Sequence, residues 1–271
     1  MLEQKAGSAV ADRSIDVGGY RLHFRVYPGS GPNVLLEAGG GADASYWKSL
    51  PADWARETGA TVIAYDRAGY GESDLPEAPY DVRQEIAGLW RGLEQLGLAH
   101  SLIALGHSYG GMLIPVLAGE HPDAVCGLVY LDAMNVAFID FLGGAQALID
   151  HPLMQFPFDR SRPEALTKEQ RAAIRVEAGL PHTVETVRSM PVSPDTPVRA
   201  INAGIPWWPK PEENAAWRAS HERMAAAAAD GKLLVAEESA HLIPYDQPEI
   251  ILAAIADLVN VYEGAVVAQG G

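Results

Sequence analysis

The stretch ALGHSYGGML, Ala104–Leu113, concentrates residue types that can do chemistry. Gly106-His107-Ser108-Tyr109-Gly110 fits G-x-S-x-G. A serine hydroxyl becomes a nucleophile when it stands clear of the backbone on a tight strand-to-helix turn, with a base in reach. Such a turn strains the serine backbone and leaves no room for flanking side chains, so glycine occupies those places. It also brings the first N–H groups of the following helix under a developing oxyanion. The context agrees with this reading. SLIALG (101–106) reads as a strand, Ser108 to Glu120 suits a helix, and Gly111 is one more small residue for close packing. The competing reading is a structural glycine-serine turn.

Elements alternating along the chain must position that serine. Residues 14–27 alternate in strand fashion around a Gly18-Gly19 hairpin turn. NVLLEA (33–38), TVIAY (61–65), SLIALG and CGLVYLD (126–132) are short apolar runs of the kind buried in parallel sheets. Between them lie helical patterns over 46–57, interrupted by Pro51, and over 80–98. Residues 134–192 break the rhythm with helical pieces such as Thr167 to Ala178 and no clear strand. The rhythm returns with strands at 196–204 and 232–237 and helices at 211–229 and 248–262, and the tail GAVVAQGG is expected to fray. The expectation is an α/β fold with a mostly parallel sheet covered on both faces: residues 1–133 and 193–271 form the core, and 134–192 form a cap.

Composition narrows the function. Of 271 residues, 48% are hydrophobic, enough to bury a large core. A net charge of −15 argues against nucleic acid and anionic membranes as partners. No run of about 18 apolar residues is evident, so no membrane span is expected. The start, MLEQKAGSAVADRS, lacks the pattern of a signal peptide, and a cytoplasmic protein is expected, a monomer or homodimer. The single cysteine, Cys126, opens an apolar run and reads as a core residue. His221-Glu222 has no second histidine four residues on, so no H-E-x-x-H metal site exists, and no metal or cofactor is expected.

Four segments in order resemble the α/β-hydrolase superfamily over nearly the whole chain: VLLEAGGGADASYW, AYDRAGYGESD, GHSYGG and SAHLIPYDQPEIILAAI. The resemblance implies an eight-stranded sheet with a cap inserted after the sixth strand. It makes Ser108 the nucleophile and His241, before the "QPE" helix start, the base. The acid is expected between them in sequence. Many relatives place it after the strand written here TPVRAINAG, but IPWWPKPEEN follows, offering only Glu212 and Glu213. The other family solution places it at the end of LVYLD, which is Asp132. The oxyanion hole is assigned to the N–H groups of Tyr109 and Gly40, although Ala38 stands where the family usually has histidine. Asp66, Arg67, Gly69, Gly71 and Ser73 read as a loop bracing the oxyanion loop. His107 reads as structural or pocket-lining, His121 as a helix end, and the other histidines as surface or cap residues.

These residues imply a serine hydrolase of the carboxylesterase, lactonase or amidase type, acting on a small molecule through a Ser-His-Asp triad. An epoxide hydrolase or haloalkane dehalogenase would need aspartate at the nucleophile position. Phe138, Phe141, Phe156, Phe158, Trp207 and Trp208 either line an apolar substrate pocket or pack the cap. Two rival readings remain. Gly39-Gly40-Gly41-Ala42-Asp43-Ala44 mimics a G-x-G-x-x-A dinucleotide loop with Asp66 ending the next strand, as in an oxidoreductase. Alternatively the fold serves as a non-catalytic ligand-binding protein.

Overall fold

The computed structural model describes residues 10–190 and 192–270. Residues 1–9, over which the sequence was read for a leader, lie outside the described residues, as do Pro191 at the expected cap boundary and Gly271 at the tail. Eight strands form one sheet: β1 (Ala11–Asp16), β2 (Arg21–Tyr27), β3 (Asn33–Glu37), β4 (Thr61–Asp66), β5 (Leu102–His107), β6 (Val125–Leu131), β7 (Val198–Ala203) and β8 (Gly231–Ala236). Their order is β1-β2-β4-β3-β5-β6-β7-β8. β2 is antiparallel to both neighbours, and all pairings from β4 to β8 are parallel. The expected mostly parallel α/β sheet is therefore present.

Nine α-helices accompany the sheet among the described residues: α1 (Leu50–Thr58), α2 (Val82–Leu96), α3 (Gly110–Glu120), α4 (Val136–Leu142), α5 (Ala145–Ile149), α6 (Lys168–Ser189), α7 (Pro211–Ala226), α8 (Ile243–Asp246) and α9 (Pro248–Gly270). Pro51 restarts a helix instead of kinking one: a 3-10 turn spans Ala44–Trp47, and α1 begins afresh with Pro51 in its first turn, where a missing N–H is harmless. α6 runs beyond the expected Ala178 and continues through Pro181, because Leu180, Thr183 and Val184 bury one side. The capping box of Thr167 and Gln170 fixes its start.

Side chains alternate across the sheet. Leu35, Ile63, Ala104 and Leu128 face one layer with α2 and α3, while Val34, Leu36, Ile103, Leu105 and Val129 face the other with Trp54, Ile251, Ile255 and Leu258. A third cluster joins α4, α5 and α6, which lie between β6 and β7, to α3 and α7 through Met112, Phe138, Leu180, Trp208 and Trp217.

α9 departs from expectation twice. It continues as helix to Gly270 where fraying was expected, since nothing between 262 and 269 breaks it except Gly264. By length and composition, Pro248–Ala268 is also long and apolar enough to cross a membrane, contrary to the scan for apolar runs. Here the side carrying Ile251, Ala254, Ile255 and Leu258 is buried against the sheet.

Sequence order along the sheet reverses between β3 and β5, so the loops leaving these two strands diverge and open a crevice at their C-terminal ends. Leu35, fully buried on the central β3, holds that crevice from below. Leu35→Ala is expected to lower stability by about 2–5 kcal/mol. Urea unfolding with an unchanged m-value checks this, and a loss below about 1 kcal/mol would contradict a central, rigid β3.

Candidate active site

β5 ends at His107 and α3 begins at Gly110, which leaves Ser108 on the turn between strand and helix. Its φ of 52° lies in the left-handed region that non-glycine residues rarely occupy. The strain is held by the end of β6, the segment after it and the first turn of α3. Ser108 N–H donates to the Leu131 carbonyl at 3.2 Å, and the Ser108 carbonyl accepts from Met134 N–H at 2.8 Å and Gly111 N–H at 2.9 Å. A Cβ on Gly106 would stand 2.5 Å from the Gly110 carbonyl oxygen, and one on Gly110 would stand 2.6 Å from the Glu37 carbonyl oxygen. Close approach therefore requires both glycines of the motif.

Asp132 follows β6 directly and is fully buried, with a φ of 39°. Five donors converge on its carboxylate. Oδ2 accepts from His241 Nδ1 at 2.7 Å and Trp207 Nε1 at 2.9 Å. Oδ1 accepts from Trp217 Nε1 at 2.7 Å, Asn202 Nδ2 at 3.1 Å and Ala203 N–H at 3.0 Å. Burial works to raise the pKa of this carboxyl. The bond and charge of His241, the nearby His221 and the Trp217 indole outweigh that effect and hold it at about 2. An ionised Asp132 makes Nδ1 of His241 the protonated nitrogen and leaves Nε2 with a lone pair.

The structure thus brings Asp132 and His241 together and places Ser108 beside them through the backbone. None of the hydrogen bonds among the described residues uses the Ser108 hydroxyl, and none joins it to His241. The alternative acids lie elsewhere. Glu213 closes a capping box at the start of α7 and pairs with Lys210 Nζ at 2.9 Å, while Glu212 is exposed.

Gly40 and Tyr109 line the same cavity as Ser108, about 270 Å³ in volume, and neither of their N–H groups has a partner among the described residues. Arg67, itself buried, anchors the Gly40 loop: Nη1 donates to the Ala38 carbonyl and Nη2 to the Gly39 carbonyl, each at 2.5 Å. The Gly39 carbonyl belongs to the peptide whose N–H is Gly40's. In a trans peptide the two point in opposite directions, so Arg67 behind the loop turns the Gly40 N–H away from itself. This answers the missing histidine at position 38. Asp66 braces the loop's far end by accepting from Ala44 N–H at 2.8 Å and Glu72 N–H at 2.9 Å. That role, with a 3-10 turn where a dinucleotide fold would open its helix, removes the support for the oxidoreductase reading.

The expected substrate residues Trp207, Trp208, Phe138 and Phe141 do not line this cavity. Trp207 stacks on His241 with ring centroids 4.1 Å apart. Phe138 and Trp208 are buried against one another and against Trp217, and Phe141 is 48% exposed on the outer surface. These rings pack the segment between β6 and β7 onto the sheet. The cavity walls are instead Leu148, Ile149, Leu153, Met154, Phe156 and Leu180.

Sequence reasoning missed two residues of the site. Trp217 and His221 lie one turn apart on α7 and face the end of β6. His221 is fully buried, not a surface or cap residue: Nε2 accepts from Ala133 N–H at 2.8 Å and Nδ1 donates to the Trp217 carbonyl at 2.9 Å. Their i, i+4 spacing puts both on one face of α7 but does not say which way that face turns.

Residues 34–254 match the model of the alpha/beta hydrolase family. The chain belongs to this family. It is 26% identical over 259 residues to the uncharacterized protein YqjL of Bacillus subtilis, covering 93% of each chain. It is 33% identical over 123 residues to the 2-(acetamidomethylene)succinate hydrolase of Mesorhizobium japonicum, 44% of this chain and 42% of that protein. Among solved structures, the haloalkane dehalogenase DbeA of Bradyrhizobium elkani superposes with a TM-score of 0.68 at 17% identity, covering 95% of this chain and 100% of the other. The enol-lactonase of Burkholderia xenovorans gives 0.60 at 19% identity, with 92% and 100% coverage. At such identities these two structures speak for the hydrolase fold alone.

His107 ties the histidine loop to the elbow of this hydrolase fold. Its Nε2 lies 3.0 Å from the His241 carbonyl, which can only accept, so Nε2 carries the hydrogen. Burial, reinforced by the nearby His241, pushes the His107 pKa down to about 3. Under the oxyanion loop, Tyr65 donates to Glu37 at 2.5 Å, and burial pushes the Glu37 pKa up to about 7 despite Arg67.

The two shifts act oppositely on stability. His107, depressed from 6.5 to about 3, contributes stability that is present above pH 6.5 and is lost as pH falls toward 3. Glu37, raised from 4.5 to about 7, contributes stability below pH 4.5 that is lost as pH rises toward 7. Between pH 4.5 and 6.5 they offset, and acid destabilisation sets in below 4.5. His107→Gln keeps a donor for the His241 carbonyl and removes the titration. Its stability relative to the parent should rise by about 1.4 kcal/mol per pH unit as pH falls from 6.5 to 3. Urea titrations across that range check this, and a difference independent of pH would refute it.

Proposed function

We propose that this chain is a serine hydrolase that cleaves an ester, lactone or amide of a small, mainly apolar substrate through an acyl-enzyme on Ser108. The observation that carries the reading is the short bond from His241 Nδ1 to the buried, ionised Asp132, on the strand end beside the strained Ser108. His241 Nε2 takes the Ser108 proton as the hydroxyl oxygen attacks the substrate carbonyl. The N–H groups of Gly40 and Tyr109 hold the resulting oxyanion. The proton passes from His241 to the departing alcohol or amine. A water molecule, deprotonated by the same histidine, then releases the acid and restores Ser108. No step calls on a metal or cofactor.

The walls formed by Leu148, Leu153, Phe156 and Leu180 favour an apolar acyl group. The segment 134–192 acts as a cap that brings these side chains over Ser108. The relative named as a 2-(acetamidomethylene)succinate hydrolase accords with hydrolysis of a small molecule.

The test is reaction with a fluorophosphonate followed by peptide mass spectrometry, alongside turnover of p-nitrophenyl esters. An adduct on Ser108 is expected and should be absent from Ser108→Ala. Asp132→Asn should fold normally yet lose about 10³–10⁴-fold in kcat. Failure of the well-folded protein to be labelled or to turn over any ester would favour the non-catalytic ligand-binding reading. Near-normal turnover in Asp132→Asn would remove Asp132 from the mechanism.

A further inference from the structure

A second cavity, about 400 Å³, lies between α3, α7 and the C-terminal end of α6 and shares no lining residue with the Ser108 cavity. Most of its wall is apolar, including Pro115, Val187 and Met224. Three polar features are set into or beside that wall.

The first is Tyr130 on β6. It is only 5% exposed and lines the cavity, and its hydroxyl makes no hydrogen bond among the described residues. The hydroxyl opens toward the cavity and is free to bond whatever occupies it. The second is the carbonyl of Gly111. Pro115 sits inside α3 and has no N–H, so the carbonyl four residues earlier loses its helical donor, and both residues face this cavity. The third is Arg223 at the rim. Its guanidinium is exposed and has no carboxylate within ion-pair distance among the described residues. Arg188, also lining the cavity, is by contrast neutralised by both oxygens of Asp140 at 2.9 and 3.0 Å. In a chain with 35 acidic and 20 basic residues, an unpaired cation over an apolar hollow is a specific feature.

We propose that this cavity binds a small carboxylate with an apolar body and a hydroxyl at its far end: the carboxylate on Arg223, the body against Pro115, Val187 and Met224, and the hydroxyl between Tyr130 and the Gly111 carbonyl. Such a hydroxyl accepts from Tyr130 and donates to the Gly111 carbonyl. The occupant shares a wall with the support of Asp132, since Ser220 and Arg223 flank His221 on α7 and Ser220 Oγ accepts from Asn135 Nδ2 at 2.8 Å.

The probe is 3-(4-hydroxyphenyl)propionate, titrated into 15N-labelled protein, with 3-phenylpropionate and 3-(4-hydroxyphenyl)propionamide as controls. Saturable shifts are expected at the amides of Gly111, Ser220 and Arg223, with a Kd below about 1 mM. Arg223→Glu, at an exposed position, should weaken binding at least about tenfold, and the propionamide should bind about as weakly. Tyr130→Phe should weaken the hydroxylated probe severalfold and leave 3-phenylpropionate unchanged. The proposal is overturned if the shifts fall on Gly40, Leu148 and Leu180 of the other cavity. It is equally overturned if Arg223→Glu and the propionamide bind like their parents, or if no saturable shift occurs.

Discussion

A carboxylate taken wholly out of water is tolerable only when its charge is spread over donors, and the loops above the sheet are arranged around that requirement at Asp132. Donors reach it from β7, from the loop after β7, from α7 and from the histidine loop. Each donor is thereby fixed in turn. The Trp207 ring that serves Asp132 also forms a wall for His241, and the helix that carries Trp217 carries His221 to the next backbone amide. Two indoles are well suited to this task, because each presents a single N–H on a large apolar body that excludes water from the site.

Much of the fold was legible because its signals are local. Buried parallel strands appear as short apolar runs, and NVLLE, TVIAYD, LIALGH and VCGLVYL stand at the sheet's centre close to where the sequence put them. Pro51 was ambiguous for a physical reason. A proline's effect depends on whether it falls in a helix's first turn or deep inside it, and tertiary packing decides where the helix starts. The end of α9 was underestimated because fraying was inferred from the segment's terminal position, while no strong breaker stands between Gly264 and the described end.

The candidate site was legible to the extent that its chemistry requires particular backbone. Glycines beside Ser108 and the histidine before the QPE segment carry strong constraints, and Asp132 was accessible from its place at a strand end. What surrounds them was not legible. Whether an aromatic residue lines a cavity or packs a helix depends on which way its element faces, so Trp207, Trp208, Phe138 and Phe141 were open to both readings. Arg67 could be assigned to a bracing loop from sequence, but not to two particular carbonyls. His221 was passed over because its partner is a main-chain amide, and no side-chain constellation announces such a contact.

The elbow's backbone is bonded on both sides of Asp132, to Leu131 and to Met134. Ser108 and Asp132 therefore ride on one stiff plate made from two adjacent strands. His241 arrives separately, from the loop after β8, two strands beyond β6 in the sheet, held there by Asp132 and by His107. Two corners of the triangle are set by the architecture and the third by a short hinge. Natural or engineered drift in the reach between histidine and serine has one adjustable arm to act through, residues 237–242, while the rest of the frame stays as it is.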